Sequence, residues 1–336
     1  MTEGLGFLIF TFAAILMFEA VNGWTDAPNA IATVVSTRAM PPQAAVAMAA
    51  VLNLVGVLAG TAVATTIGKN IVDIDAISQE TAGGGLEIAV AASLAVVIWA
   101  SFAAYFGLPT SESHGIVAGL AGAAVAVAGF DVLIWDGWQK VFTGVGAALV
   151  FGFGGAFLVM ILLFRLFQHA NPSTMRRLFG PLQILSSGFM AFSHGTADGQ
   201  KAIGVMAFAL AVYNGTPAAE FSVPLWIIFL GAGTMGVSTM FGGWRIIRTL
   251  GMKVTHLETH QGFAAEVAAA TTLTVTARFG IPLSTTHTIG SAIMGVGSTR
   301  RLSAVRWGVA YNIMIAWVLT FPICFALGWI IAWLIP

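Results

Sequence analysis

Two aspartates, Asp26 and Asp198, sit in segments of nearly matching order inside the most apolar regions of this chain. The first segment reads Asn22-Gly23-Trp24-Thr25-Asp26-Ala27-Pro28-Asn29 and the second His194-Gly195-Thr196-Ala197-Asp198-Gly199-Gln200-Lys201. The acids are 172 residues apart (198 − 26), about half of a 336-residue chain. A second pair keeps almost the same offset, 173 (287 − 114). It matches Phe106-Gly107-Leu108-Pro109-Thr110-Ser111-Glu112-Ser113-His114 with Phe279-Gly280-Ile281-Pro282-Leu283-Ser284-Thr285-Thr286-His287. The chain therefore reads as a duplicated unit. A carboxylate at bilayer depth costs about 2.5–3.5 kcal/mol on insertion scales. Two register-matched ones need a use, because a serine would cap a helix at lower cost.

The hydroxyl runs Thr110-Ser111-Glu112-Ser113 and Ser284-Thr285-Thr286 each follow a Gly-x-Pro turn and open an apolar helix. Helix N-termini present unpaired N–H groups and partial positive charge, and hydroxyls add neutral donors. One such run is explained by capping alone. Two matched runs beside two matched acids favour an oxyanion cradle at the midplane. Its candidate residues are Thr25, Asp26, Thr110, Ser111, Ser113, Asp198, Lys201, Ser284, Thr285 and Thr286. An anion about 6 Å from a carboxylate, at an effective dielectric near ~20, is repelled by roughly 3 kcal/mol per charge pair. A bound cation or a proton reverses that sign, so the residues imply that the anion enters together with Na+ or H+. Hard cations take oxygen ligands. Asn22, Asp26, Asn29 and Asp198 are the candidates, helped by Thr25 and Thr196, with Asp26 and Asp198 as the metal ligands if the ion is Na+.

Glu112 stands where the other half has Thr285, which makes it the first candidate for a proton carrier; a solvated acid at a helix start is the equal alternative. Lys201, one helical turn after Asp198, either neutralises that acid or meets the anion. His114 and His287 are matched, and read equally well as site groups or as hydrogen-bonding partners across the hairpins. Glu19 and Glu266 read as helix-to-helix pairing groups. His256-Leu257-Glu258-Thr259-His260 has its glutamate misplaced for the His-Glu-x-x-His zinc motif and reads as a solvated helix start.

The elements that must position these groups follow from composition. The chain is 58% hydrophobic and 8% charged, where soluble domains carry about 25% charged residues. The expected fold is all-α: a polytopic transmembrane bundle with an inverted-topology repeat and broken or re-entrant helices. Zero formal net charge gives no pull toward nucleic acid, and the one cysteine, Cys324, excludes an internal disulfide. The first apolar run has no basic residue before it and reads as a retained span. Continuous spans are expected at 4–22, 41–66, 86–107, 138–166, 222–247, 261–279 and 303–334, with interrupted segments at 26–37, 112–130, 181–194 and 196–213. Trp residues read as interface anchors, and Gly144–Gly155 as close helix packing.

Basic residues cluster at Arg38, at Arg165 with Arg176 and Arg177, at Arg245, Arg248 and Lys253, and at Arg300, Arg301 and Arg306. The stretches 67–85 and 131–137 are acidic. The positive-inside rule then places both termini outside. Residues 1–166 form the first repeat, 167–180 a cytoplasmic linker broken at Asn171-Pro172-Ser173, and 181–336 the second, inverted repeat.

With those residues set out, Asn22 to Ala32, Ser36-Thr37-Arg38, Ser193 to Lys201, the paired Pro-x-Ser-x-x-His segments and Gln261-Gly262-Phe263-Ala264-Ala265-Glu266 resemble the inorganic phosphate transporter family over nearly the whole chain. The resemblance implies a cation-coupled phosphate importer, whose broken helices meet around the phosphate with Asp-centred cation sites beside it. It implies a multi-pass protein of the cell membrane (the inner membrane in a Gram-negative source) in contact with lipid. No cofactor is expected beyond Na+ as a coupling ion, and homo-oligomerisation stays open. Family members often have Gly-x-Asn-Asp in both repeats, whereas this chain has Thr25 and Ala197 before its acids, and Glu112 in place of a hydroxyl. H+ coupling and another oxyanion such as sulfate thus remain alternatives. A passive channel is disfavoured by paired, inverted broken helices, and no recognisable catalytic set suggests an enzyme.

Overall fold

The computed structural model describes residues 4–80 and 85–335, and is all-α. The termini expected outside (1–3 and 336) and part of the acidic loop 67–85 lie beyond the described residues. The first half holds α1 (Leu5–Ser36), α2 (Pro42–Val57), α3 (Ala62–Lys69), α4 (Ile74–Glu80), α5 (Leu86–Tyr105), α6 (Glu112–Ala128), α7 (Trp135–Leu149) and α8 (Gly155–Leu166). The second holds α9 (Pro172–His194), α10 (Gln200–Asn214), α11 (Leu225–Thr239), α12 (Trp244–Arg248), α13 (Thr259–Arg278), α14 (Thr285–Ser298) and α15 (Trp307–Leu334). Among the described residues, four helical stretches are long and apolar enough to span a bilayer: α1, α5, α7–α8 through a π turn at Val150–Gly154, and α15. Large apolar side chains such as Leu158, Phe229 and Val318 face outward while Glu19, Asp26, Glu112, Asp198, Lys201 and Glu266 are buried, as a lipid solvent demands.

The same order of elements runs twice. A long helix (α1; α9–α10) is followed by a bent pair (α2–α3; α11–α12), a helix hairpin (α5–α6; α13–α14) and a closing helix (α7–α8; α15). The halves interlock: α6 packs on α15 and α14 on α7–α8, while α1 packs on α5 and α11, and α9 on α13 and α2. Each hairpin tip turns through a glycine at positive φ, Gly107 at 69° and Gly280 at 64°. A Cβ on Gly107 would lie 3.3 Å from the Arg245 backbone oxygen. One on Gly280 would lie 2.9 Å from that of Ala62. The bent pairs therefore seat the tips, α12 the first and α3 the second.

Several expected boundaries shift. The break between 22 and 26 does not exist: α1 continues through Gly23 and Pro28 as one helix. Pro28 removes one helical donor, and the Trp24 carbonyl it leaves free lies close to Gly243, where a Cβ would come within 2.9 Å of it. The break near 195 is a π turn, Gly195–Gly199, between α9 and α10. It fits because a Cβ at Gly195 would strike the Asn53 carbonyl of α2 at 2.1 Å, the close backbone approach that small residues allow. Segments 41–66 and 222–247, expected as single spans, are pairs bent by 68° and 62°. The expected span at 261–279 is a full helix, α13, but does not reach the hydropathy of the four spans.

Candidate functional site

The hairpin helices α6 and α14 begin alike. Ser111 and Ser284 are the N-caps, each accepting from the amide three residues on, His114 N and His287 N, at 3.2 Å. The amides of residues 112–113 and 285–286 have no intrahelical acceptor. The two tips touch, with Ser113 Oγ donating to the Leu283 carbonyl at 3.1 Å.

Asp26, midway along α1, and Asp198, in the π turn, reach this junction together. Thr286 Oγ1 donates to Asp26 Oδ1 at 3.1 Å and Thr285 Oγ1 to Asp198 Oδ2 at 2.8 Å. Asn29 Nδ2 donates to both threonine hydroxyls at 3.0 Å. Thr25 Oγ1 donates to Glu112 Oε1 at 2.8 Å. The Lys201 ammonium contacts both Asp198 Oδ1 and Ser113 Oγ, so it pairs with the acid while standing at the first hydroxyl run. Thr110 is buried beside the first cap. Asn22 donates to Glu19 Oε2 at 3.2 Å, one turn before Asp26. The ten anion candidates with Asn22, Asn29 and Glu112 are at most 3% exposed, and Thr196 is 9% exposed, so the junction is closed to solvent.

Three carboxylates and one ammonium stand here at 0–3% exposure, so the ionised cluster is net negative. Four buried oxygens near it have no donor among the described residues: Glu19 Oε1, Asn22 Oδ1, Asn29 Oδ1 and Glu112 Oε2. Orphaned acceptors of this kind fit a hard cation. His194 was not singled out in the sequence as a ligand. One oxygen each of Asp26 and Asp198 and one of its ring nitrogens fall within 4.8 Å of one another. The signal was its i, i+4 spacing to Asp198. Gln200 was also missed; its Oε1 accepts from the Val63 and Ala64 amides and so caps α3.

The remaining candidates resolve differently. The His114 and His287 rings meet at 4.6 Å between centroids, but none of their four nitrogens has a hydrogen-bond partner among the described residues. Of their two readings, hydrogen bonding across the hairpins is not seen among the described residues; each ring lies against an aromatic of α15, Phe321 or Trp317. Glu266 accepts from Thr33, Gln183 and Ser186, joining α1, α9 and α13. Glu19, expected to pair between helices, instead accepts within its own helix from Asn22. Glu258 caps α13 and pairs with Arg300. Partial burial pushes its carboxyl up, but the hydrogen bond and charge of Arg300 outweigh this, and the group titrates below its ordinary value.

A multi-pass helical membrane protein whose buried charge gathers where two hairpin tips meet has the architecture of a membrane transporter. Comparison with known proteins narrows this. A sequence model described as the phosphate transporter family matches residues 22–328. A probable low-affinity inorganic phosphate transporter of Rhizobium meliloti (strain 1021) is 40% identical over 94% of this chain and 92% of its own. One of Bacillus subtilis (strain 168), of the same description, is 37% identical over 93% and 92%. A solved structure described as the sodium-dependent phosphate transporter superposes with a TM-score of 0.90 over 98% of this chain and 99% of its own, at 24% identity, and shares the fold. The chain belongs to the phosphate transporter family, and the substrate of that family is phosphate.

Proposed function

We propose that this protein imports inorganic phosphate by symport with a cation, H+ or Na+, through alternating access of two oppositely oriented halves, 1–166 and 181–336, joined by 167–180. The carrying observation is the sealed junction in which Asp26, Glu112 and Asp198 outnumber Lys201 beside two hydroxyl-bearing helix N-termini. The N-termini and Thr25, Thr110, Ser111, Ser113, Lys201, Ser284, Thr285 and Thr286 offer donors to an oxyanion. Asp26 and Asp198 accept from its hydroxyls. Excess carboxylate repels that anion until a cation or proton joins it, which couples the two. Asn22, Asp26, Asn29, Glu112 and Asp198 are the coupling groups in this reading. The repeated element order and the interlocked hairpins support the inverted halves, and a sealed site supports alternating access over an open pore.

Phosphate uptake into proteoliposomes under a Na+ gradient alone, then a proton gradient alone, tests the reading and identifies the ion. Asp26→Asn or Asp198→Asn is expected to abolish driven uptake. Wild-type rates in both variants would end this assignment.

A further inference from the structure

The two matched aspartates of the junction, Asp26 and Asp198, do not have equivalent surroundings. At the 172-residue offset, Asn22, Thr25 and Asn29 around Asp26 correspond to His194, Ala197 and Lys201 around Asp198 (194 − 22, 197 − 25, 201 − 29). Three oxygen-bearing side chains are thus replaced by a ring nitrogen, a methyl group and an ammonium. Hydrogen bonding follows the same division. On the α1 side, Asn22 Oδ1, Asn29 Oδ1 and Glu112 Oε2 are buried without a donor. On the other side both oxygens of Asp198 are engaged, Oδ1 by the Lys201 ammonium and Oδ2 by Thr285 at 2.8 Å, with His194 Nε2 at 3.5 Å. Lys201 is fully buried and holds Ser113 Oγ as well as Asp198.

An ammonium bonded to a carboxylate and a hydroxyl occupies the kind of oxygen-lined position a small monovalent cation would take. We infer that Lys201 is a tethered cation that fills the second repeat's counterpart of the cation site, leaving the Asp26–Glu112 side as the only one that exchanges an ion. This rests on the symport reading and deepens it. Glu112 and Lys201 are the two charges at the junction that have no charged counterpart in the other repeat. They cancel, so the cluster keeps the net charge of a symmetric pair of acids while moving all its exchangeable negative charge to one side.

The test installs the first-repeat residue at the second position. Purified Lys201→Asn in detergent, titrated with NaCl against choline chloride, is expected to show a Na+ order of thermal stabilisation one higher than wild type. Adding Asp198→Asn should remove the gain. Lys201→Arg, which keeps a tethered charge, should show no gain. A folded, monodisperse Lys201→Asn with the wild-type Na+ order would overturn the inference. Where a lone buried Asp198 prevents folding, the reciprocal Asn29→Lys sets an ammonium beside Asp26. It should remove one driving cation, Na+ or H+, per phosphate from the transport stoichiometry, and an unchanged stoichiometry would overturn the inference as surely. In proteoliposomes, Lys201→Asn should also carry one more elementary charge per phosphate. Failure of the symport reading looks different: the wild type would then take up no phosphate under either gradient.

Discussion

Replacing Gly280 with alanine puts the hairpin-tip argument at risk most directly. Gly280 turns at φ 64°, a region that costs an ordinary L-residue about 1–2 kcal/mol. Its Cβ would also lie 2.9 Å from both the Ala62 carbonyl and Thr66 Oγ1, closer than real Cβ atoms approach, and relieving such overpacking costs about 1–3 kcal/mol. Together these place Gly280→Ala about 2–5 kcal/mol above wild type. The strain bears on the turn that carries Ser284, Thr285 and Thr286. Each ~1.4 kcal/mol is a tenfold change in the population of the assembled tip, so phosphate uptake should fall by at least about tenfold. Gly107→Ala turns at 69° with its nearest contacts at 3.3 Å, so it should bear the conformational cost with little of the clash and fall less. Gly215→Ala is the control: φ is 61°, nothing lies within 4 Å of its Cβ, and it ends α10 away from the tips. It should lose about 1–2 kcal/mol of stability and keep wild-type uptake. The assay is concentration-dependent uptake in proteoliposomes, normalised to reconstituted protein, beside thermal unfolding of each variant. Wild-type uptake in Gly280→Ala, or an equal loss in Gly215→Ala, would refute the claim that α3 holds the second tip in working position.

Other outcomes follow from the same contacts. Phosphate carries hydroxyl protons near neutral pH and sulfate does not. A site whose Asp26 and Asp198 must be met by donors should therefore admit arsenate as a competitor and reject sulfate by at least about 10²-fold, read from competition with labelled phosphate. Glu266→Ala strands the donors of Thr33 and Gln183 inside the bundle, while Ser186 Oγ keeps the Gln183 carbonyl at 3.1 Å. At ~1–3 kcal/mol per stranded donor, thermal unfolding should show a loss of at least about 2 kcal/mol, and a neutral outcome would remove Glu266 from the joint of α1, α9 and α13. Glu258 titrates below its ordinary value of 4.5 when folded, so its contribution is present above that value and lost as pH falls through the folded one. With both side chains about half exposed, it is worth under about 1 kcal/mol. Glu258→Gln should therefore lower stability slightly at pH 7 and not at all once acid has protonated the wild-type carboxyl.

Much of the site was legible because charge and hydroxyl are rare in this chain and recur at a fixed offset. Asp26, Asp198, Ser111 and Ser284 could be placed from spacing, and the two serines cap their helices with the same geometry. What escaped was decided by packing. Gly23 and Pro28 locally argue for a break, yet α1 is gripped by α5 and α11 along its length and the loss of one hydrogen bond does not end it. The bends after α2 and α11 occur at Leu58–Thr61 and Met240–Gly243, which are apolar or neutral, and hydropathy reports depth without direction. His194 stood inside the quoted motif, but its contact with Asp198 follows only if the helix continues to residue 198, which the expected break at 195 denied.

Neither half can build this site alone. Asp26 of the first half is met by Thr286 of the second, and Asn29 reaches across to Thr285 and Thr286. Lys201 of the second half is shared between its own Asp198 and Ser113 of the first. Such crossed contacts couple the halves through hydrogen bonds in a buried, low-dielectric place, where each bond is strong and each orphan is expensive. In the proposed alternating access, opening to either side exchanges these protein bonds for bonds to phosphate, cation or water. An empty, cation-free junction keeps its acids against one another and should pass between faces less readily than a loaded one. That difference is what the proposed symport requires, and in that reading it arises because the second half supplies its own positive charge and the first does not.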